Sequence, residues 1–150
     1  MKFNNSFSIC AQGSKYVYAP TGANGLYVVD ISDPANPVLV KHMMKSELSN
    51  ITLRAGICMG NWLILATSTF PAFDGSIVIM DISDPANPSQ IGRQDNIRIG
   101  YQGFIYGAKF FGAAPDGALD SYDFSDPANI TRTIHNANAA ASFTNSEYGF

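Results

Sequence analysis

Charged side chains are scarce in this sequence of 150 residues, where Asp, Glu, Lys and Arg together make up 14%. Globular domains usually contain about 25%, so neutral polar groups must cover much of the surface. The formal net charge is -3, and the nine basic residues are scattered from Lys2 to Arg132 instead of forming a patch that neutralises phosphates. We therefore expect a neutral polar partner, protein or glycan, and no nucleic acid.

Long hydrophobic runs are also missing. The longest, "WLIL" at 62–65 and "IVIM" at 77–80, are far shorter than the ~20 apolar residues that cross a bilayer as a helix, so we expect no membrane insertion. The opening "MKFNNSFSIC" has Asn and Ser where a signal peptide has its apolar segment. An exported protein would need another route, or a leader that this sequence does not include.

Cysteine and histidine are nearly absent. Cys10 and Cys58 are too few for a disulfide scaffold and lack CxxC spacing. We expect both to be small buried apolar side chains, with a bridge or a reactive thiol as the alternative. The histidines are His42 and His135, and neither GxSxG, HExxH, a P-loop nor GxGxxG occurs. The sequence therefore predicts no catalytic residue, no cofactor and no enzyme.

One group of carboxylates resembles a metal site at first sight. It consists of Asp116, Asp120 and Asp123. A separation of three residues along a strand places Asp120 and Asp123 on opposite faces of a sheet, so the two cannot converge on one cation without a bulge. We expect no metal.

The sequence does contain one phrase three times. It reads "DISDPANP" at 30–37 and at 81–88, and "DFSDPANI" at 123–130. The copies begin 51 and 42 residues apart. Repeats of about 40 to 50 residues are typical of propeller blades.

Each repeat contains four short runs with the composition of strands. A single sheet of four strands cannot bury both of its faces, whereas sheets arranged radially cover one another. The third run, "GLYVVDI" or "GSIVIMDI", is apolar at successive positions, which indicates a strand buried on both faces. The fold prediction is an all-β propeller of four-stranded antiparallel blades. In the first repeat the runs lie near 7–12, 15–19, 25–31 and 37–41.

The repeated phrase has a structural explanation as the hairpin turn between the third and fourth strands. In the first copy, Asp33 suits position i of a type I turn, Pro34 fixes φ at i+1, and Asn36 tolerates the left-handed conformation that closes the turn. Asp30 can accept hydrogen bonds from free N–H groups of the turn. The equivalent residues, with the same predicted roles, are Asp81, Asp84, Pro85, Asn87, Asp123, Asp126, Pro127 and Asn129.

The run "LYVVDISDPANPV" at 26–38 resembles the LVIVD repeat. This resemblance implies β-propeller blades, often in secreted or surface-displayed bacterial and archaeal proteins, and it implies no agreed enzymatic activity. It covers nearly the whole chain and transfers a shape, not a reaction. The third repeat departs from the pattern, with Asp120 and Ser121 inside its third run and Ile130 in place of a proline. We expect the third blade to lie at an edge or an interface.

The repeats predict a single, partial propeller domain over residues 1–150. Three blades are fewer than the four to eight of closed propellers, and an open fan would expose blade faces and strand edges. We expect a longer propeller chain or a homo-oligomer. The predicted boundaries are about 5–42, 51–93 and 98–135 for the blades, with the first strand of a next blade at about 141–150.

Differences between the repeats locate the candidate site. In a four-stranded meander, the repeated turn shares one rim with the first hairpin, while insertions at 41–50 and 68–75 fall on the opposite rim. Aromatic and Met side chains bury ligand area there, and charged side chains orient the ligand. The alternative is that these loops only pack onto the blades. The predicted patch consists of His42, Met43, Met44, Lys45, Phe70, Phe73, Asp74, Arg98 and Tyr101.

These features favour a non-enzymatic structural or binding module on a cell or virion surface. The partner would be a protein or a glycan that contacts the variable loops. One alternative is a virion or extracellular assembly subunit in which the propeller is a spacer that packs through its edges. A weaker alternative is an enzyme in the central channel, for which the first strands offer only Ser8, Gln12 and Arg54.

Overall fold

The structure is a computed structural model that describes residues 8–67, 74–98, 103–113 and 119–135. Within these ranges, twelve strands form three four-stranded antiparallel sheets. Two short 3-10 helices, Lys45–Leu48 and Pro127–Asn129, lie between strands. None of the described residues forms a helix long and apolar enough to cross a membrane.

Each sheet is a meander in which every strand is hydrogen-bonded to the next one in the sequence. Sheet 1 contains β1 (Cys10–Gln12), β2 (Tyr16–Pro20), β3 (Leu26–Asp30) and β4 (Val38–Met43). Sheet 2 contains β5 (Leu53–Met59), β6 (Trp62–Thr67), β7 (Asp74–Asp81) and β8 (Ser89–Arg98). Sheet 3 contains β9 (Gly103–Tyr106), β10 (Lys109–Ala113), β11 (Leu119–Asp123) and β12 (Thr131–His135).

The described residues form two compact units. The first unit contains sheet 1 and most of sheet 2. The second contains sheet 3, together with residues 74–76 of β7 and 92–98 of β8. The strand predicted at 141–150 lies outside the described residues.

The core of the first unit explains why its strands are so apolar. Tyr18 and Val28 of sheet 1 belong to the same buried cluster as Leu63 and Met80 of sheet 2. In β7, residues 77–80 are all at most 1% exposed. A strand buried on both faces has no position left for alternating polar residues, which is why its sequence runs apolar without interruption.

Polar side chains of the first repeat join sheet 1 to sheet 2. Gln12 donates from Nε2 to the backbone oxygens of Gly60, at 3.3 Å, and Ile82, at 3.1 Å. Ser8 donates from Oγ to the backbone oxygen of Gly56 at 3.3 Å. These side chains, which a channel enzyme would need, therefore hold one sheet against the next.

The repeated phrase forms the same turn three times. The backbone N–H of Asn36 donates to the carbonyl of Asp33 at 3.0 Å, and the equivalent bonds of Asn87 and Asn129 are also 3.0 Å long. Asp33 Oδ1 additionally accepts from the N–H of Ala35 at 3.0 Å. In the third copy these bonds close the 3-10 helix that Asp126 caps.

The predicted left-handed closure at Asn36 is wrong. Apart from glycines, the described residues with positive φ are Ser49, Asn50 and Asn96, so the asparagines of the repeated turn are not left-handed. Asn36 occupies position i+3, where its side-chain amide donates to Asp33 Oδ2 at 2.7 Å. The phrase needs this asparagine for a side-chain hydrogen bond across the turn.

The aspartate that opens each phrase also binds the turn. Asp30 Oδ1 accepts from the N–H of Ser32 at 2.7 Å, and Asp81 and Asp123 accept from the serines that follow them at 2.8 and 3.0 Å. Hydrogen bonds from Ser32 hold the pKa of Asp30 below its ordinary value, because they favour the charged form. Asp81 and Asp123 have lowered pKa values for the same reason.

The repeated turn and the first hairpin turn lie on one rim of each sheet, as the sequence predicts. The N–H of Ile31, next to the repeated turn, donates to the carbonyl of Lys15 in the first hairpin turn at 2.7 Å. Ile82 and Phe124 make the equivalent bonds at 2.7 and 2.9 Å. We call this edge the repeat rim.

Candidate functional site

The opposite rim of sheet 1 consists of the β2–β3 turn, residues 21–25, and the connection from β4 to β5, residues 44–52. We call these residues the variable rim. The turn is closed by Thr21, whose N–H and Oγ both donate to the carbonyl of Gly25 at 2.9 Å. The connection returns beside it, because the N–H of Leu53 donates to the carbonyl of Gly22 at 3.3 Å.

The connection from β4 to β5 is an ordered segment with regular structure and not an extended loop. It contains the 3-10 helix Lys45–Leu48, whose start is fixed by the N–H of Met44 donating to Glu47 Oε2 at 2.7 Å. Leu48 is 2% exposed and anchors the helix in the core. The Met44 side chain is 53% exposed, so an apolar, adaptable group is presented to solvent on a fixed backbone.

An aromatic pair lies next to this helix. Tyr27 of β3 and His42 of β4 are paired across the sheet, and their rings stack with centroids 3.9 Å apart and planes at 13°. His42 Nε2 donates to the carbonyl of Asn24 at 2.7 Å. Both rings are half-buried. The hydrogen bond and the stack together fix the orientation of the imidazole.

The structure brings some members of the predicted patch together and places others elsewhere. His42, Met44 and Lys45 lie on or next to the variable rim. Met43 is 7% exposed and belongs to the core. Asp74 is the first residue of β7 and Arg98 the last residue of β8. Phe70, Phe73 and Tyr101 lie outside the described residues.

The predicted patch does not include Tyr27 and Asn24, which the structure adds to the site. It ended the fourth strand at residue 41, whereas β4 continues to Met43, so His42 was placed on a loop. A strand that extends to Met43 places His42 opposite Tyr27. The run "VLVKHM" does not alternate between apolar and polar residues, so the sequence offered no clear signal for the longer strand.

The carboxylates of sheet 3 are engaged in ion pairs on opposite faces. Asp120 is fully buried and pairs with Arg132 of β12, whose Nε donates to Oδ2 at 2.9 Å. Asp123 lies 3.3 Å from the Lys109 ammonium. Asp120 Oδ1 is a buried oxygen without a hydrogen-bond partner. The pairing with Arg132 leaves Asp120 as a structural group.

Comparison with known proteins identifies the repeats. Residues 7–45 and 70–96 match the family model of the LVIVD repeat. These two segments of the chain carry the LVIVD repeat. The match includes the first two copies of the repeated phrase, and the third lies outside it, where the sequence departs from the pattern. A search of the curated proteins found no match to this chain.

Solved structures establish the fold of this chain. The crystal structure of Saccharomyces cerevisiae Sqt1 is similar with a TM-score of 0.66 and 13% identity, over 88% of this chain and 35% of that chain. The crystal structure of the N-terminal domain of Nup159 has a TM-score of 0.50 and 15% identity, over 85% of this chain and 29% of that chain. Both are of the propeller type, so the predicted β-propeller fold is confirmed. The chain spans about a third of the length of each.

Proposed function

We propose that this protein, which carries LVIVD repeats, is a non-enzymatic binding module on a cell or virion surface that contacts a protein or glycan partner through the variable rim. The stack of Tyr27 on His42, 3.9 Å between centroids, is the observation that carries this proposal. The pair is already held in place by the sheet and by Asn24. Because a partner does not have to order it, binding to this surface costs little conformational entropy.

The chemistry of the rim suits a neutral polar partner. Aromatic rings contribute large contact area with few rotatable bonds, and the exposed thioether of Met44 adapts to an irregular surface. Since Nε2 of His42 carries the proton donated to Asn24, Nδ1 of the neutral ring is an acceptor. A sugar hydroxyl or a peptide N–H is the matching donor.

The polar groups of the first strands support a non-enzymatic function. Ser8 and Gln12 are hydrogen-bonded to the backbone of sheet 2. A catalytic group must instead reach the substrate within hydrogen-bond distance. Their engagement in sheet packing leaves the variable rim as the better candidate for a ligand.

The experiment is binding of the labelled full chain to a glycan array and to a peptide array. We expect Tyr27→Ala and His42→Ala to weaken binding at least about 10-fold, because each removes half of the stack. The matched control is Asn36→Ala on the repeat rim, which should leave binding within about 2-fold. Binding that survives both rim variants, or is lost equally in the control, would contradict the proposal, as would no binding to either array.

A second candidate function, an assembly subunit that packs through its sheets, is favoured by sheet 3. Tyr16 pairs with Asp30 in sheet 1, and Lys109 pairs with Asp123 in sheet 3, so these two residues are equivalent. Two residues further along the same strands, Phe111 is the equivalent of Tyr18. The residues paired with these two, Phe104 and Cys10, are then equivalent as well. The face of sheet 3 that carries Phe104 therefore corresponds to the face that sheet 1 buries against sheet 2.

That face of sheet 3 is exposed. Tyr18 is fully buried, whereas Phe104 is 52% and Tyr106 is 79% exposed. Phe104 stacks on Phe111 with centroids 5.1 Å apart, which makes a flat aromatic surface. Exposed apolar surface of this kind is typical of an interaction site.

The complementary surface is the other face of sheet 1. Val17, Val29 and Leu39 lie side by side across this sheet; Leu39 on the edge strand β4 is 42% exposed, whereas Val29 is buried. Small aliphatic side chains there can receive the bulky rings of sheet 3 from a second copy. Such a head-to-tail contact would generate a closed ring or a filament.

Sedimentation of the full chain at increasing concentration tests this second function. We expect association in the wild type, its loss in Phe104→Asp and in Leu39→Asp, and a limited dimer when the two variants are mixed, since each retains one intact face. His42→Ala is the control and should associate normally. A chain that stays monomeric at all concentrations, or variants that associate like the wild type, would rule it out.

A further inference from the structure

Two contacts place the cysteines opposite each other. Ser8 Oγ donates to the carbonyl of Gly56, and Gln12 Nε2 donates to the carbonyl of Gly60, both at 3.3 Å. Each contact joins residues 48 positions apart. Cys10 lies midway between Ser8 and Gln12, and Cys58 lies midway between the two glycines. Because alternate residues of an extended segment point to the same face, the two thiols face each other between sheets 1 and 2.

The two thiols interact with each other. A side-chain hydrogen bond joins Cys10 to Cys58, and both residues are free and half-buried, not fully buried as the sequence predicts. The bond and burial raise the pKa of the Cys10 thiol, and the same bond lowers the pKa of Cys58. One thiolate is therefore favoured next to one thiol, which is the arrangement that reacts with disulfides.

We propose that Cys10 and Cys58 are a site of reversible disulfide formation that covalently joins sheet 1 to sheet 2. The oxidant is a small-molecule disulfide such as oxidised glutathione. The position of the pair at the boundary between two sheets gives the bond a mechanical consequence, because the sheets cannot separate while it is intact.

The reaction proceeds by two exchanges. The Cys58 thiolate attacks one sulfur of the oxidant, forms a mixed disulfide, and releases one glutathione as its thiolate. Cys10 then loses its proton to water, attacks the Cys58 sulfur, and displaces the second glutathione thiolate. Two protein thiols are oxidised to one disulfide while one glutathione disulfide is reduced to two glutathione molecules.

The experiment treats the native full chain with oxidised glutathione, traps the remaining thiols by alkylation, and maps the peptides by mass spectrometry. We expect a Cys10–Cys58 cross-linked peptide, no alkylated cysteine, and reversal by dithiothreitol. Closing a loop of this length should raise the melting temperature by about 5–10 °C. The cross-link should form more slowly in urea, where the two strands are separated.

Single variants distinguish this pair from ordinary exposed thiols. Cys10→Ser should stop at the mixed glutathione disulfide of Cys58, and its melting temperature should not rise. Cys58→Ser removes the hydrogen bond that raises the pKa of Cys10 but leaves the burial that also raises it, so this variant should react more slowly than Cys10→Ser. Glutathione on both cysteines of the wild type without a cross-link, no reaction at all, or a cross-link only between molecules would each overturn the proposal.

Discussion

Gln12 of sheet 1 donates from Nε2 to the backbone oxygen of Ile82 in sheet 2, 3.1 Å away. The same side chain accepts a hydrogen bond from the Tyr18 hydroxyl at 3.0 Å. One amide therefore satisfies a buried tyrosine and a carbonyl of the neighbouring sheet. Buried polar groups that lose such partners are costly, so this side chain should stabilise the contact between the two sheets.

We expect Gln12→Leu to lower the free energy of unfolding by about 1–3 kcal/mol, because the Tyr18 hydroxyl and the Ile82 carbonyl lose their partner. Urea unfolding followed by fluorescence measures the change. Gln94→Leu is the control, since the exposed Gln94 amide donates to the backbone oxygen of the adjacent Asp95, and it should stay within about 0.5 kcal/mol of the wild type. A Gln12→Leu variant as stable as the control would show that sheet packing does not depend on this amide.

Arg132 should matter more than its position on an edge strand suggests. The carboxylate of Asp120 is fully buried. The Arg132→Met variant removes the guanidinium that balances the charge of this carboxylate. Unpaired buried charges cost several kcal/mol, but Arg132 is 30% exposed, so we expect about 2–3 kcal/mol. The double variant Asp120→Leu, Arg132→Met should recover most of the stability. A tolerated single variant would contradict the assignment of Asp120 as a structural ion-pair residue.

Two left-handed glycines provide a matched test of the variable rim. Gly13 (φ +58) has no atom within 4 Å of an added Cβ, whereas at Gly25 (φ +88) the Cβ would overlap the backbone oxygen of Met43. Gly13→Ala should cost about 1–2 kcal/mol from backbone strain alone. Gly25→Ala should cost clearly more and should expose the β2–β3 turn to proteolysis. Equal costs in thermal unfolding would mean that the turn and the connection do not pack as described.

The repeated turns should make stability depend on acid pH. Asp30, Asp81 and Asp123 have pKa values below the ordinary 3.8, so their contribution is complete above that pH and is lost as pH falls through the lowered values. Replacing all three by Asn should lower the urea midpoint at pH 7. Once the pH is below the lowered pKa values, the difference from the wild type should disappear. If the urea midpoints of the variant and the wild type still differ at acid pH, the N–H groups of the turns do not depend on charged aspartates.

The strands and the repeated turn could be predicted because their causes are local. Runs such as "IVIM" are apolar at successive positions, and the Asp-Pro pair fixes the turn. The backbone conformation of Asn36 was predicted wrongly. Asparagine suits both a left-handed backbone and the side-chain hydrogen bond to Asp33 that the structure shows. Propensity alone does not distinguish the two.

The candidate site was predicted only in part, because its geometry depends on register. His42 meets Tyr27 only if β4 pairs with β3 up to Met43, and Asp120 meets Arg132 only through the pairing of β11 with β12. The contact between Cys10 and Cys58 depends on how sheet 1 packs on sheet 2. Such relationships join residues far apart in sequence, and a pattern within one repeat does not contain them.

Hydrogen exchange tests most directly the claim that these sheets are stabilised by covering one another's faces. The comparison is between β6 (Trp62–Thr67) and β10 (Lys109–Ala113), each a central strand hydrogen-bonded on both sides. Leu63, Ile64 and Leu65 of β6 are all at most 2% exposed, whereas β10 belongs to the sheet with the open aromatic face. In dilute solution we predict exchange at least about 10-fold slower in β6 than in β10. Equal protection of the two strands, or faster exchange in β6, would contradict the account.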